Sequence, residues 1–198
     1  MPFFVSDPVR WTVVPVLIVA VVTDVRSQRI YNWLTFPAMG LAVLVRVGWG
    51  WWTAGGAQAV EVLGDVLGGW LVFPLAFLLI DAVYAGRWGQ LKGIRAGDIK
   101  LMAAAGAWIG LWPALSAILD TALVGGVLSF LWAALHGSLG GVLRQVRGFF
   151  VAMGAGFRQP ASMVGTSRAP LLPYALSIAL GTVAALAWPP IWQWGGQA

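Results

Sequence analysis

The chain contains no cysteine, a single histidine and very little charge. Without cysteine there are no disulfides and no thiolate metal sites, and the redox compartment stays undetermined. His136 has no serine-nucleophile motif beside it, no His-Glu-x-x-His occurs, and no phosphate-cradling glycine loop is present. It reads as a satisfied interfacial side chain. Charged residues make up only 10% of the 198 positions, too few to wrap a soluble surface of this size. The net charge of +5 is scattered over short stretches and forms no contiguous stripe, which argues against a nucleic-acid partner.

What the chain has in abundance is apolar surface: 60% of its residues are hydrophobic and the mean hydropathy is +0.83. Six apolar segments can be drawn, roughly Val9–Thr23, Leu34–Trp51, Val62–Val83, Ile99–Trp112, Ala114–Leu135 and Leu171–Trp188. They predict an all-α, polytopic membrane protein with six transmembrane helices in a single domain over 1–198, without internal repeats. The first segment does not read as a signal peptide, since Asp7 precedes Arg10 and no small-residue cleavage site follows Val22. Pro113 marks a tight turn between segments four and five. The 26 glycines suggest close helix packing more than loops.

Lysine and arginine set the orientation. Arg26 and Arg29 follow segment one; Arg87, Lys92, Arg95 and Lys100 lie between segments three and four; Arg144, Arg147, Arg158 and Arg168 follow segment five. By the positive-inside rule that side is the cytoplasm and both termini lie outside, with Arg10 and Arg46 as the exceptions. In the connection between segments five and six, "LGGVLRQVRGFFVAM" spaces Leu139, Val142, Leu143, Val146 and Phe150 near helical period. That fits a short helix in the inner interface, and equally a cytoplasmic loop with an apolar patch. The Trp-rich "GWGWW" and "WPPIWQW" read as interfacial anchors.

Seven carboxylates remain. Asp7 lies in the outer tail, Glu61 and Asp65 read as a solvated helix face, Asp120 sits in the outer half of segment five, and Asp81 is ambiguous. Asp24 and Asp98 differ: each stands at the cytoplasmic end of an apolar segment and is followed at once by basic residues. As a helix, the stretch from Arg10 to Asp24 spans about 20 Å, short of the ~30 Å hydrocarbon core, which leaves Asp24 at or just below the inner surface. Ionisable groups there are functional candidates by default. Structural roles compete, with Asp98 as an N-cap before "IKLMAAA" and Asp24 pairing with Arg26 or Arg29. Two such residues on one membrane face favour chemistry. A carboxyl pair sharing one proton can activate water and polarise a peptide carbonyl, with no cofactor and no metal.

"AGDIKLMAAAGAWIG" is similar to the Gly-x-Gly-Asp-x-Lys signature of type IV prepilin peptidases, and "DVRSQRIYNWLT" resembles their first aspartate segment. "LLPYALSIALG" looks like the Pro-Tyr start of the last helix in the short members that serve tight-adherence (Flp) pili. The resemblance implies a membrane aspartic endopeptidase that removes the short basic leader of prepilins at the cytoplasmic face of the inner membrane, beside pilus or secretion assembly components. It makes Asp24 and Asp98 the catalytic dyad and assigns supporting places to Gly97, Lys100 and Asn32. Arg95 stands where the family has its first glycine, and Tyr31 where it has proline. Longer members carry a cysteine-bearing insertion and also N-methylate the product; here that activity is not expected. Preflagellin and presenilin-type proteases share the Gly-Asp aspartate, but presenilin-like chains hold both aspartates within longer central helices. The non-enzyme alternative is a membrane transporter or assembly factor using the same aspartates for cation or proton binding.

Overall fold

In lipid, a backbone without water must bond to itself, and long runs of Val, Leu, Ala and Trp therefore become helices. The computed structural model describes residues 8–88, 96–137, 139–141, 143, 144, 147 and 174–188, and for 80–88 the backbone alone. Among the described residues every regular element is helical. A 3-10 turn (Pro8–Thr12) leads into α1 (Val13–Ser27), followed by α2 (Asn32–Ala54), α3 (Gly56–Trp88), α4 (Ala96–Ile109), α5 (Leu111–Leu135) and α6 (Tyr174–Ala187).

The joints follow from local chemistry. α1 ends at Gln28, which adopts a left-handed conformation (φ 51°) and donates its backbone N–H to the Asp24 carbonyl at 2.8 Å. Gly55 and Gly110, both at positive φ, make the one-residue joints α2–α3 and α4–α5. The turn expected at Pro113 thus lies three residues earlier. Gly110 is required there doubly, because a Cβ would also run into the Asp65 carboxylate. Pro113 is the third residue of α5, where its missing N–H breaks no intrahelical bond.

Four helical stretches are long and apolar enough to cross a membrane: Pro8–Ser27, Asn32–Ala54, Gly56–Leu79 and Leu111–Leu135. The other two expected spans are shorter. α4 and α6 have 14 residues each, about 21 Å of helix against a core of ~30 Å. α4 is the centre of the molecule. Its residues Leu101 to Ile109 are all buried, and α1, α2, α3, α5 and α6 pack around it. A helix apolar on every side belongs in such a position. The helices around it turn Leu44, Trp52, Leu71, Leu78 and Leu123 outward, a surface suited to lipid and not to water.

Glycine brings these helices into backbone contact, as its abundance suggested. A Cβ on Gly69 of α3 would strike the Gly106 carbonyl of α4, and one on Gly106 would strike Gly69. Gly181 of α6 meets Thr121 of α5 in the same way.

The end of α4 away from Asp98 is tied by charge. Arg46 donates to Asp65 Oδ2 at 2.7 Å and to the Ala107 carbonyl at 3.2 Å; Arg10 reaches the same Oδ2 at 3.3 Å; Leu111 N–H donates to Oδ1 at 2.9 Å. Asp65 is therefore not on a solvated face with Glu61, which alone is exposed. It turns inward because two guanidiniums and a free helix N-terminus converge on it. Arg10 and Arg46, the two exceptions to the charge asymmetry, are both buried in this ion pair. Removing one member of such a pair strands the other, at a cost of about 3–5 kcal/mol.

His136 caps α5, with Nδ1 2.8 Å from the Trp132 carbonyl and its ring against Trp132, a structural role as expected. The candidate interfacial helix lies largely outside the described residues; those described, 139–141, 143, 144 and 147, are helical. The side chains of Asp81 and Arg87, and residues Lys92, Arg95, Arg158 and Arg168, also lie outside them.

Candidate active site

Asp24 stands in the last turn of α1 and Asp98 in the first turn of α4, and each is only 4% exposed. α4 starts at Ala96, three residues earlier than an N-cap role for Asp98 requires, so Asp98 lies inside the first helical turn. A carboxylate there still faces the positive end of the helix dipole. Both aspartates line one cavity of about 360 Å³, lined among the described residues also by Gly97 and the segment from Gln28 to Asn32.

The left-handed turn at Gln28 reverses the chain and lays that segment over the start of α4. Ile30 rests on Gly97, where a Cβ would stand 3.2 Å from the Ile30 Cβ, so this glycine lets the loop close down over Asp98. α2 then begins at Asn32, whose Oδ1 accepts a hydrogen bond from Lys100 Nζ at 3.0 Å. The Lys100 ammonium also lies 5.6 Å from the centre of the Phe36 ring. Asn32 and Lys100 thus tie the first turn of α2 to the second turn of α4 at the rim. The tie is exposed, so it is worth at most ~1 kcal/mol. Asn32→Ala and Lys100→Ala are each expected to lower stability by less than that amount, with the double variant no worse than the poorer single one; thermal unfolding of all four proteins measures the coupling.

Nothing in the side-chain pattern announced the partner of Asp24. Its Oδ2 accepts a hydrogen bond from the backbone N–H of Ala175 at 3.1 Å, 151 residues away. That N–H belongs to the first turn of α6, where amides have no partner within their own helix. The available signal was Pro173 before Tyr174, a helix-start pair. Tyr174 itself is half-buried, and α6 packs against both α1 and α4, the helices that carry the two aspartates. Among the described residues no three His, Asp or Glu side chains gather as a metal site needs.

Two buried carboxyls from distant parts of the chain, facing one water-accessible cavity at a bundle end, match the needs of peptide hydrolysis. Comparison with known proteins agrees in class: the model of the type IV leader peptidase family matches residues 11–130. The chain belongs to that family. No curated protein and no solved structure matches it. The leader peptidase match contains Asp24, Asn32, Gly97, Asp98 and Lys100 and stops short of α6. Family membership makes the protein a peptidase of leader-peptidase type, built on apolar helices that can cross a membrane.

Proposed function

We propose that the protein is a membrane aspartic endopeptidase that removes the short basic leader of type IV or Flp prepilins, with Asp24 and Asp98 as its dyad. The observation that carries this reading is the burial of both aspartates against one cavity. The proposed reaction needs one carboxyl ionised and its partner protonated. The ionised member takes a proton from water as the water oxygen bonds to the scissile carbonyl carbon. The protonated member gives its proton to the carbonyl oxygen, forming a gem-diol. The carboxyl that took the water proton then gives it to the leaving nitrogen while the other takes a proton from a gem-diol hydroxyl, so that C=O re-forms, the C–N bond breaks and the pair again holds one proton. The Ala175 N–H, bonded to one oxygen of Asp24, steadies that carboxyl and leaves the other for water.

The site belongs at the cytoplasmic surface of the inner membrane. Arg26, Arg29 and Lys100 lie at this end of the bundle, and so does the stacked pair Tyr31–Trp33, whose rings suit the headgroup level. On this reading six segments cross the membrane with both termini outside, α4 and α6 having the short described helices as their cores. A prepilin presents its bond at the same level, where a basic leader meets an apolar helix. N-methylation of the product is not part of the proposal.

The test is cleavage by the reconstituted protein of a panel of short-leader prepilins, followed by substrate mass. Loss of the leader mass from at least one substrate, abolished by Asn at position 24 or 98, is the expected result. Cleavage that survives either substitution in a folded protein ends the dyad mechanism.

A further inference from the structure

We propose that Asp65, with Arg10 and Arg46, is a register clamp that fixes the lengthwise offset of α1 against α4 and so positions Asp24 and Asp98 against each other. The inference rests on the dyad reading above. It makes Asp65 a positioning residue at the far end of the bundle.

The argument begins with what converges on one carboxylate. Oδ2 of Asp65 holds Arg10, just before α1, and Arg46 of α2. Oδ1 holds the Leu111 N–H immediately after α4, and Arg46 extends the grip to the Ala107 carbonyl in the last turn of α4. The start of α1 and the end of α4 are therefore fastened to the same group. Arg10 stands fourteen residues before Asp24, and Leu111 thirteen residues after Asp98. At 1.5 Å per residue each stretch is a strut of about 20 Å. Two struts of nearly equal length run from one carboxylate and end in the two aspartates.

Direct packing between α1 and α4 contributes little to this offset. α1 touches α4 sparingly, whereas α4 lies along α3 and α2. The middle of α4, from Ala103 to Ala107, is alanine and glycine, with short side chains to key against α1. Guanidinium–carboxylate pairs are the opposite: directional, and held here with Arg46 only 2% exposed. Gly110 belongs to the same knot, since at its positive φ the missing Cβ lets the Asp65 carboxylate pack against the α4–α5 joint.

The absence of cysteine makes the offset directly measurable. Ser27→Cys and Ala96→Cys, both exposed and flanking the aspartates, carry spin labels for dipolar EPR in lipid nanodiscs. Activity is read on the unlabelled chains with a cleaved prepilin. In the parent the label distance is expected to be narrow. In Asp65→Ala it should shift or broaden by about one residue's rise, ~1.5 Å or more. The same substitution should lower kcat about tenfold to hundredfold with KM within about twofold, the signature of misplaced reacting groups. Arg10→Gln, which releases only the α1 side, gives a milder variant if Asp65→Ala does not fold, and should move the labels in the same direction. Asp65→Glu should restore part of kcat and of the parental distance.

An unmoved label distance in folded Asp65→Ala or Arg10→Gln overturns the clamp, whatever happens to kcat. A moved distance with kcat unchanged overturns the positioning role. The labels need no substrate. If the parent cleaves no prepilin yet the labels move, the clamp stands and the prepilin reading falls.

Discussion

Asp24→Asn and Asp98→Asn are each expected to abolish leader cleavage, with kcat reduced at least ~10³-fold. Asparagine matches aspartate in size and keeps a carbonyl oxygen, so at position 24 it can still accept the Ala175 N–H, and at position 98 it still suits the first turn of α4. What it lacks is a carboxyl able to exchange a proton with water or the scissile carbonyl. The two losses should not add. Once one carboxyl is gone the shared-proton mechanism has already stopped, and the double variant should be no slower than the slower single one. Thirteen tryptophans provide an intrinsic fluorescence signal for checking that each variant unfolds like the parent. A structural role for either residue predicts the reverse pattern, with stability lowered and cleavage nearly intact.

The second large effect concerns a residue far from chemistry. Gly69→Val should lower the thermal midpoint by about 10 °C or prevent folding altogether, because its Cβ would strike the Gly106 carbonyl. Overpacking typically costs ~1–3 kcal/mol when side chains can move aside. Here the obstacle is backbone, and the relief open to the molecule is to push α3 from α4. At ~2–4 °C per kcal/mol for a chain of this size, a cost near the top of that range gives the stated shift. Gly64→Val is the matched control on the same helix, since a Cβ there meets nothing within 4 Å. Comparing the two by thermal unfolding in detergent separates the crossing from mere loss of glycine. Equal midpoints would show that the contact at Gly106 does not limit the packing of α4.

Much of the fold was legible because lipid imposes a simple rule, and runs such as Leu34–Trp51 and Ala114–Leu135 obey it. The errors lie where the controlling contact is remote. Glu61 and Asp65 share a helix face by spacing, but Asp65 turns inward because Arg46 and the Leu111 N–H reach it from other helices. Pro113 is the louder turn signal than Gly110, yet the carboxylate at Gly110 decides the joint. α4 reads as an ordinary span from its composition; the burial of Leu101 to Ile109 depends on five neighbours that no local pattern encodes. At the site, the two aspartates were visible as carboxyls at the ends of apolar runs, and the family motif joined them. The Ala175 N–H was invisible, since every residue but proline carries one.

That backbone bond has a consequence for biosynthesis. Translation delivers Asp24 early and Asp98 later, while Ala175 follows Asp24 by 151 residues. A nascent chain can insert α1 to α5 and bring both aspartates together while Asp24 still lacks its donor from α6. The hydrogen bond to Asp24 thus arrives only once α6 has been made, so the surroundings of this carboxyl are completed late in synthesis.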